Sequence, residues 1–595
     1  MNFKMVNGSF LYQASFSYDR IKLLGSEMED LEFIRPNRYV APLTYRNYIR
    51  VNRKEYYKDI GSTNHAIEDI EKYAEFSSEL WDHQFPIRQF ILERKQCIIA
   101  AEPRTGKTLP SIDSCIIFLK SLPNRKPNEL IYWLAPKSGI KSVTDELDKW
   151  YGGKENFERA HNVTLCLMTY EYWRTNWFNI KKLKLKTGKD WEDLQITLSK
   201  TKRLIPRICI FDEVHKLKSE KGVQGGLGRF MRIAQEFIYE KEFMTVGLSG
   251  TPSPKEPSDW WNILELTNPG FIRENSSDAL KDRLAEIYMK VDQNSGLAFP
   301  AVAGWKDDEL EKFSKEISPI VFTLWKNDVL DLPKKDHVFI ELKQSKETKQ
   351  AIRFLESTEL AGAQLRQKLR QISDGFLYQN DYVVETNLIE RSVIPIDTPK
   401  VDQLKLDLMD FSLGKFPWQK DVVPENPRVM ITGGYRGTID IIRTTCIELE
   451  WNVLELTGQG WCVYLAQDKG KRSGNRDMAI KILPFFDRSK GLVDTRKWAV
   501  IGHPKSMATG LELSMCPLMI AFSHTDDGES EMQVSERPHS NNMDKELGFH
   551  IRHYCHVKYD LLIAKALRDK KRFQSITMAD IRESLRQDMF EGVYL

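Results

Sequence analysis

Residues 97–111 read CIIAAEPRTGKTLPS, and the fold turns on whether this is a phosphate-binding loop. Such a loop works because an apolar strand delivers the chain to a tight turn, whose backbone N–H groups and following helix N-terminus surround phosphate oxygens. The run QCIIAA supplies a strand, and TLPSIDSCIIFLKSL supplies a helix. Lys107 would reach the β- and γ-phosphates and Thr108 would bind Mg²⁺ through its hydroxyl, with Ala101, Arg104, Thr105 and Gly106 completing the loop. Ala101 stands where the pattern has its first glycine. Alanine is the smallest side chain that keeps a Cβ, so it is tolerated there if the backbone does not need positive φ. Alone, the tripeptide GKT also fits an ordinary strand-to-helix turn.

A working loop needs an acidic partner at the end of a second buried strand. RLIPRICIFDEVHKLKS provides one, about 105 residues downstream, with ICIF as the strand and Asp212 and Glu213 at its carboxyl end. Asp212 would hold Mg²⁺, partly through water, and Glu213 would orient or deprotonate an attacking water.

The order AAEPRTGKT, FDEVH, GLSGTP resembles motifs I, II and III of superfamily-two helicases, and most closely the Swi/Snf branch of DNA translocases, over roughly residues 75 to 575. The flanking segments keep the family order. ELWDHQFPIRQFIL resembles the element in which a glutamine, here Gln84, reads adenine; an amide has the paired donor and acceptor for that edge. LIYWLAPKSGIKSVTDELDKW resembles motif Ia, with Pro136 and Lys137 in a loop toward the DNA backbone, and VTLCLMTYEYW ends in a turn carrying Thr169. Ser249, Gly250 and Thr251 fall in the coupling motif, whose hydroxyls switch hydrogen bonds between the acidic motif and the second lobe.

Further on, FTLWKNDVLDLPKKDHVFIEL resembles the Swi/Snf segment that links the lobes and precedes a strand. RVMITGGYRGTIDIIRTTCIELEWNVLELTG reads as strand, loop, amphipathic helix and strand, the alternation of a second α/β domain. WAVIGHPKSMATGLELSMCPLMIAFSHT resembles motif V, with Ser506, Thr509 and Gly510 in its loop. Motif VI in the family is Q-x-x-x-R-x-x-R; here EMQVSERPHSNNM gives Gln533 and Arg537, but Ser540 replaces the second arginine. An arginine finger is worth about 10³–10⁵ in rate, so Arg537 must suffice, another basic residue such as Arg552 must serve, or the ATPase is slow or inactive.

The resemblance implies an α/β protein of two RecA-like P-loop lobes with parallel sheets, joined by a helical insertion and preceded by a small accessory module. The expected spans are 1–72 for that module, 73–275 for the first lobe, 276–395 for the helical insertion, 396–575 for the second lobe and 576–595 for a C-terminal helix or tail. ATP and Mg²⁺ are the implied cofactors, and Lys107, Asp212, Glu213 and Arg537 the implied catalytic residues. The implied activity is ATP-driven movement along, or remodelling of, duplex or branched DNA. An RNA-dependent helicase and a noncatalytic nucleotide-gated DNA-binding module remain alternatives.

Composition agrees with a large globular chain. At 595 residues it suggests about three or four structural units. Apolar residues at 41% and charged residues at 29% exclude a largely disordered chain. A net charge of +3 means that nucleic-acid contact must come from local patches rather than a global field. One patch is NIKKLKLKTGKDW, with Lys181, Lys182, Lys184, Lys186 and Lys189; it reads equally as a phosphate-facing loop or a solvated edge strand. The basic helix LAGAQLRQKLRQISDGFLY, with Arg366, Lys368 and Arg370, reads first as a solvated face. Residues 1–72 are aromatic and basic with strand-like alternation and faintly resemble the small modules attached to annealing helicases; a structural cap is the plainer reading. The eight scattered cysteines contain no CxxC pair, and no apolar run reaches membrane-spanning length, so the expectation is a soluble protein of a reducing, cytoplasmic compartment without membrane contact.

Overall fold

A computed structural model describes residues 3–6, 9–13, 32–35, 38–42, 70–177, 205–220, 222–250, 256–291, 298–356, 362–383, 388–458, 460–507, 511–525, 528–557 and 560. The chain divides into two compact units at Val329/Leu330. Near the N-terminus, β1 (Phe3–Val6), β2 (Ser9–Gln13), β3 (Glu32–Arg35) and β4 (Arg38–Pro42) form an antiparallel sheet in the order β1-β2-β4-β3. The alternation read in this region is thus a real strand signal.

The first unit is built on continuous apolar runs, the signature of parallel strands covered on both faces. They are β5 (Gln96–Ala101), β6 (Glu129–Leu134), β7 (Val163–Met168), β8 (Ile208–Asp212) and β9 (Met244–Ser249). With β12 (Val321–Leu324) they form an all-parallel sheet in the order β12-β5-β9-β8-β6-β7. Successive residues feed opposite cores: Ile98 and Ala100 pack on one face with Phe211 and Trp260, while Cys97, Ile99 and Ala101 pack on the other with Trp133 and Ile210. Strand β9 separates β5 from β8, pairing Ala100 with Ser249 and Asp212 with Leu248. The carboxyl ends of three adjacent strands therefore carry the phosphate loop, Ser249 and the acidic pair along one sheet edge, with β5 and β8 about 10 Å apart.

The second unit repeats the arrangement. Its sheet runs β13-β21-β20-β16-β19-β17-β18, with β13 (Lys335–Glu341), β16 (Arg428–Thr432), β17 (Asn452–Thr457), β19 (Trp498–Gly502), β20 (Leu518–Ala521) and β21 (Phe549–Cys555) parallel. Only β18 (Gly460–Tyr464), at the edge, is antiparallel. Val429 and Ile431 face one core and Met430 the other. Two RecA-like lobes are therefore present.

Within the span 276–395 the described residues mix helices with strands. It contains the helices Ser277–Leu284, Asp307–Ile317, Lys326–Val329, Lys346–Glu356 and Gly362–Ser373, and also the hairpins β10 (Ala285–Val291) with β11 (Ala298–Trp305) and β14 (Phe376–Val383) with β15 (Leu388–Pro395). It also donates β12 to the first sheet and β13 to the second. Short apolar stretches such as VFTL are diluted by the surrounding lysines and glutamates, so a window read for periodicity sees helix where a four-residue edge strand forms.

Candidate functional site

The phosphate loop follows β5 directly and leads into α1 (Thr108–Ser121). Ala101 closes the strand, fully buried, while the left-handed backbone falls on Arg104 (φ 71°) and Gly106 (φ 74°). This explains why a Cβ fits at position 101: the strand end needs no positive φ, and the turn places that demand further along. Thr105 is buried and its hydroxyl donates to the Glu102 carbonyl at 2.8 Å, so it ties the loop internally. Lys107 Nζ donates to the carbonyls of Ala101 (2.7 Å) and Glu102 (3.2 Å). Burial lowers the Lys107 pKa, opposed by the charges of Glu213, Asp212 and Glu102. Thr108 is the first residue of α1.

At the end of β8, Asp212 Oδ1 accepts from the Glu213 N–H at 3.0 Å, and the Tyr170 hydroxyl donates to the Asp212 carbonyl at 2.7 Å. Glu213 itself has φ 55° and opens the short helix Val214–Leu217. Its Oε2 lies 3.3 Å from Ser249 Oγ and 3.3 Å from His215 Nδ1, and His215 Nδ1 lies 2.9 Å from Ser249 Oγ. His215 Nδ1–H is within reach of both Ser249 Oγ and Glu213 Oε2, and the Ser249 hydroxyl donates to Glu213. Burial, then the Glu213 charge, push Asp212 up to about 7 against the pull of Lys107. Burial works to raise Glu213 too, but the hydrogen bond and charge of His215, with Lys107 and Ser249, bring it down to about 2. The hydrogen bonds and positive charge around Glu213 thus favour its ionised form, while burial and the Glu213 charge oppose ionisation of Asp212.

The residues fit a nucleoside triphosphate with Mg²⁺. A partly buried lysine rests on two carbonyls at the strand end that a polyanion can replace, beside a helix start and two carboxylates. Among the described residues no group of three or more His, Cys, Asp or Glu could hold a metal. Asp212 and Thr108 are a sparse ligand set, which suits a cation that keeps several waters and binds substrate phosphates.

The other predicted residues fall in several settings. Pro136 caps the helix Lys137–Tyr151, which Lys137 begins at the surface. Thr169 Oγ1 accepts from the Tyr172 N–H at 3.1 Å and so caps the helix that follows. Gln84 is buried, with Oε1 accepting from the Trp81 N–H (2.9 Å) and Nε2 donating to the Gly106 carbonyl (2.7 Å). Each end of its amide bonds backbone, and Oε1 keeps a second lone pair and Nε2 a second N–H. Ser506 lies on the short helix Pro504–Met507 and Gln533 on the helix Gly528–Ser535. Thr251, Thr509, Gly510 and the lysines at 181–189 lie outside the described residues.

In the second unit the Leu513 N–H donates to the Arg537 carbonyl at 3.3 Å, joining motif V to motif VI. Ser540 is buried and its hydroxyl donates to Glu512 at 3.2 Å. Arg552, considered as a substitute finger, instead makes a two-pronged pair with the buried Asp407 at 2.6 and 3.1 Å. Releasing this guanidinium would leave the buried Asp407 carboxylate without its charge partner, which is costly. Arg370 and Lys368 likewise donate to the carbonyls of His524 and Tyr378 rather than presenting a solvated face.

Three contributors escaped the sequence. Tyr170 tethers the acidic strand end, although it directly follows Thr169 in the turn already singled out. His83 Nε2 donates to the Thr105 carbonyl at 2.9 Å. Gly139, in the first turn of its helix, gives Asp212 room: a methyl there would stand 2.7 Å from Asp212 Oδ2 and 2.9 Å from Ala135 Cβ.

Comparison with known proteins adds a family. A family model described as the SNF2-related domain matches residues 47–385. The DNA repair and recombination protein RAD54 of Saccharomyces cerevisiae is 21% identical over 402 residues, 61% of this chain and 42% of the relative. The chain thus spans about two fifths of that relative's length. A solved structure, the Sulfolobus solfataricus SWI2/SNF2 ATPase core in complex with dsDNA, aligns at 15% identity over 84% of this chain and 94% of that one. Its TM-score is 0.30, too low to add to the strand order described above.

Proposed function

This chain belongs to the SNF2-related domain family, and from that membership we propose that it is an ATP-driven motor that moves along or remodels duplex or branched DNA. The observation that carries the proposal is the convergence of Lys107, Asp212 and Glu213 at the ends of β5 and β8, with Ser249 on the strand between them.

Mg·ATP, when bound, supplies the phosphoanhydride to be broken and a cation that neutralises charge on the phosphates. Lys107 would exchange its carbonyl partners for phosphate oxygens. Thr108 and Asp212 would hold the cation, and Gly139 preserves the space in which Asp212 sits. Glu213, kept ionised by His215 and Ser249, would accept a proton from the attacking water. Because Ser249 ends the strand leading into motif III, a change in its hydrogen bond to Glu213 is a direct route from hydrolysis to the rest of the chain. Arg537 is proposed as the arginine that offsets charge developing in the transition state.

DNA is the proposed partner, engaged through its backbone rather than by base readout. Ser540 favours one second reading, a nucleotide-gated binding module that does not turn over. The test is the ATPase rate with single-stranded, duplex and forked DNA, each against RNA. Stimulation by duplex or forked DNA supports the motor. Stimulation by RNA alone supports an RNA helicase, and nucleotide binding without turnover supports the module.

A further inference from the structure

We infer that the amino end of the second sheet carries a surface for the phosphate backbone of a second duplex, centred on the basic loop 466–474 and separate from motif V. The inference rests on DNA being the partner and goes beyond the motor reading by adding a second segment of it.

Residues 466–497 hold nine Lys or Arg against four Asp and no Glu, a formal charge of +5 where the whole chain has +3. Like charges gathered in this way repel one another, so an anion that meets them is favoured. Three of the acids are turned to local hydrogen bonds. Asp468 accepts from the Ser473 hydroxyl, Asp487 from the Ser489 N–H (3.0 Å) and hydroxyl (2.7 Å), and Asp494 from Arg496 (2.7 Å) and the Trp498 indole (3.0 Å). The fourth, Asp477, is exposed on the first turn of the helix Arg476–Ile482. Arg488 pairs with Asp544 and Arg496 with Asp494, but among the described residues Lys469, Lys471, Arg472 and Lys497 pair with no carboxylate.

Charge on a loose loop is ordinarily no more than a solvated face. Here the backbone is held. Val463 and Gly474 exchange backbone hydrogen bonds (3.0 and 3.1 Å), and the Leu465 N–H donates to Ser473 Oγ at 2.8 Å. Lys469 (φ 49°) and Gly470 (φ 83°) form a left-handed turn, which the Lys471 N–H closes on the Asp468 carbonyl at 3.1 Å. Lys469, Lys471 and Arg472 are all exposed around it. Asn452 joins Lys497 to the loop: its Oδ1 accepts from the Ala466 N–H and its Nδ2 donates to the Lys497 carbonyl, both at 3.1 Å. Cations on an ordered backbone lose less freedom on meeting a row of phosphates than cations on a loose one.

Strand direction fixes where this surface lies. Parallel β17 and β19 run from Asn452 and Trp498 toward Thr457 and Gly502, and motif V follows Gly502. Antiparallel β18 runs back, so the loop after it returns to the start of β17. The loop and motif V therefore occupy opposite ends of the sheet, about 17 Å apart at ~3.3 Å per residue. Contacts so divided suit two duplex segments, such as the arms of a branch. Lysine and arginine on backbone phosphates give a sequence-independent, salt-sensitive hold.

The experiment loads the full chain onto an immobilised linear duplex and measures capture of a second, labelled duplex at several salt concentrations. The unsubstituted chain should capture it. The variant carrying Lys469→Gln, Lys471→Gln and Lys497→Gln should capture it at least about tenfold more weakly, with a log–log salt slope shallower by about 2–3. Loading on the first duplex should stay within about twofold. Lys471→Gln alone, a change confined to an exposed side chain, should weaken capture about threefold. Capture that is absent from the unsubstituted chain, or equal in the variants, overturns the inference. Equal loss of loading and capture also overturns it, because the loop would then belong to the same contact as motif V. An unsubstituted chain that loads on no duplex defeats the DNA reading itself, whereas normal loading without a second capture defeats this inference alone.

Discussion

The phosphate loop of the first unit and the Gln533–Ser540 segment of the second both depart from the family pattern, and the departures differ in kind. In the loop, Ala101 replaces a glycine at a strand end, where the backbone is ordinary and the extra methyl packs into the core. In the second segment, a serine replaces an arginine, so a positive charge is lost and the hydroxyl turns to Glu512. The first exchange alters shape at a place with room for it. The second removes a charge whose value would be realised only during reaction, and packing cannot supply it.

That contrast can be broken by substitution. The largest effect is expected at Arg537: with the second arginine absent and Arg552 committed to Asp407, Arg537→Ala should slow DNA-stimulated hydrolysis by about 10³-fold or more. A parental rate in steady-state phosphate release would mean that the charge comes from elsewhere. Glu213→Gln should cost about 10²-fold or more in the rate at saturating ATP while nucleotide binding persists, because the amide keeps the shape but cannot take the water's proton. Loss of binding instead would recast Glu213 as a structural residue.

A smaller change tests the space beside the acidic pair. Gly139→Ala improves intrinsic helix propensity by about 1 kcal/mol, yet the added methyl crowds Asp212 Oδ2. The methyl also meets the buried Ala135 Cβ, so thermal stability should not rise, while the Mg²⁺ concentration for half-maximal rate should rise about tenfold. An unchanged Mg²⁺ profile would show that Asp212 does not need that space. The smallest effect is expected for Ser540→Ala. It removes one hydrogen bond, so the rate should fall by less than about tenfold. A loss as large as that of Arg537→Ala would show that Ser540 has taken over the missing arginine's function.

Much of the fold was legible because it is written in local pattern. Buried parallel strands appear as QCIIAA, ELIYWL and ICIF, and the loop and acidic motif follow such runs at their carboxyl ends. The strand after DLPKK was anticipated and is β13. What stayed hidden depends on contacts between distant residues. Nothing in KSGIKS announces that Gly139 abuts Asp212, and nothing in LWDHQ announces that Gln84 Nε2 bonds the Gly106 carbonyl. The edge strand β12 was missed because its four residues carry too little periodicity against a charged background. Arg552 looked available because a sequence shows a charge without its partner, and Asp407 lies 145 residues upstream.

The reading of this molecule as a motor requires that the loop bearing Ala101 be a working site coupled to DNA. Its most direct test is phosphate release from ATP by the full chain with and without duplex DNA, repeated with Lys107→Ala. The account predicts hydrolysis that duplex DNA accelerates and that falls at least ~10²-fold in Lys107→Ala. Release that ignores DNA, or that survives Lys107→Ala, would contradict it.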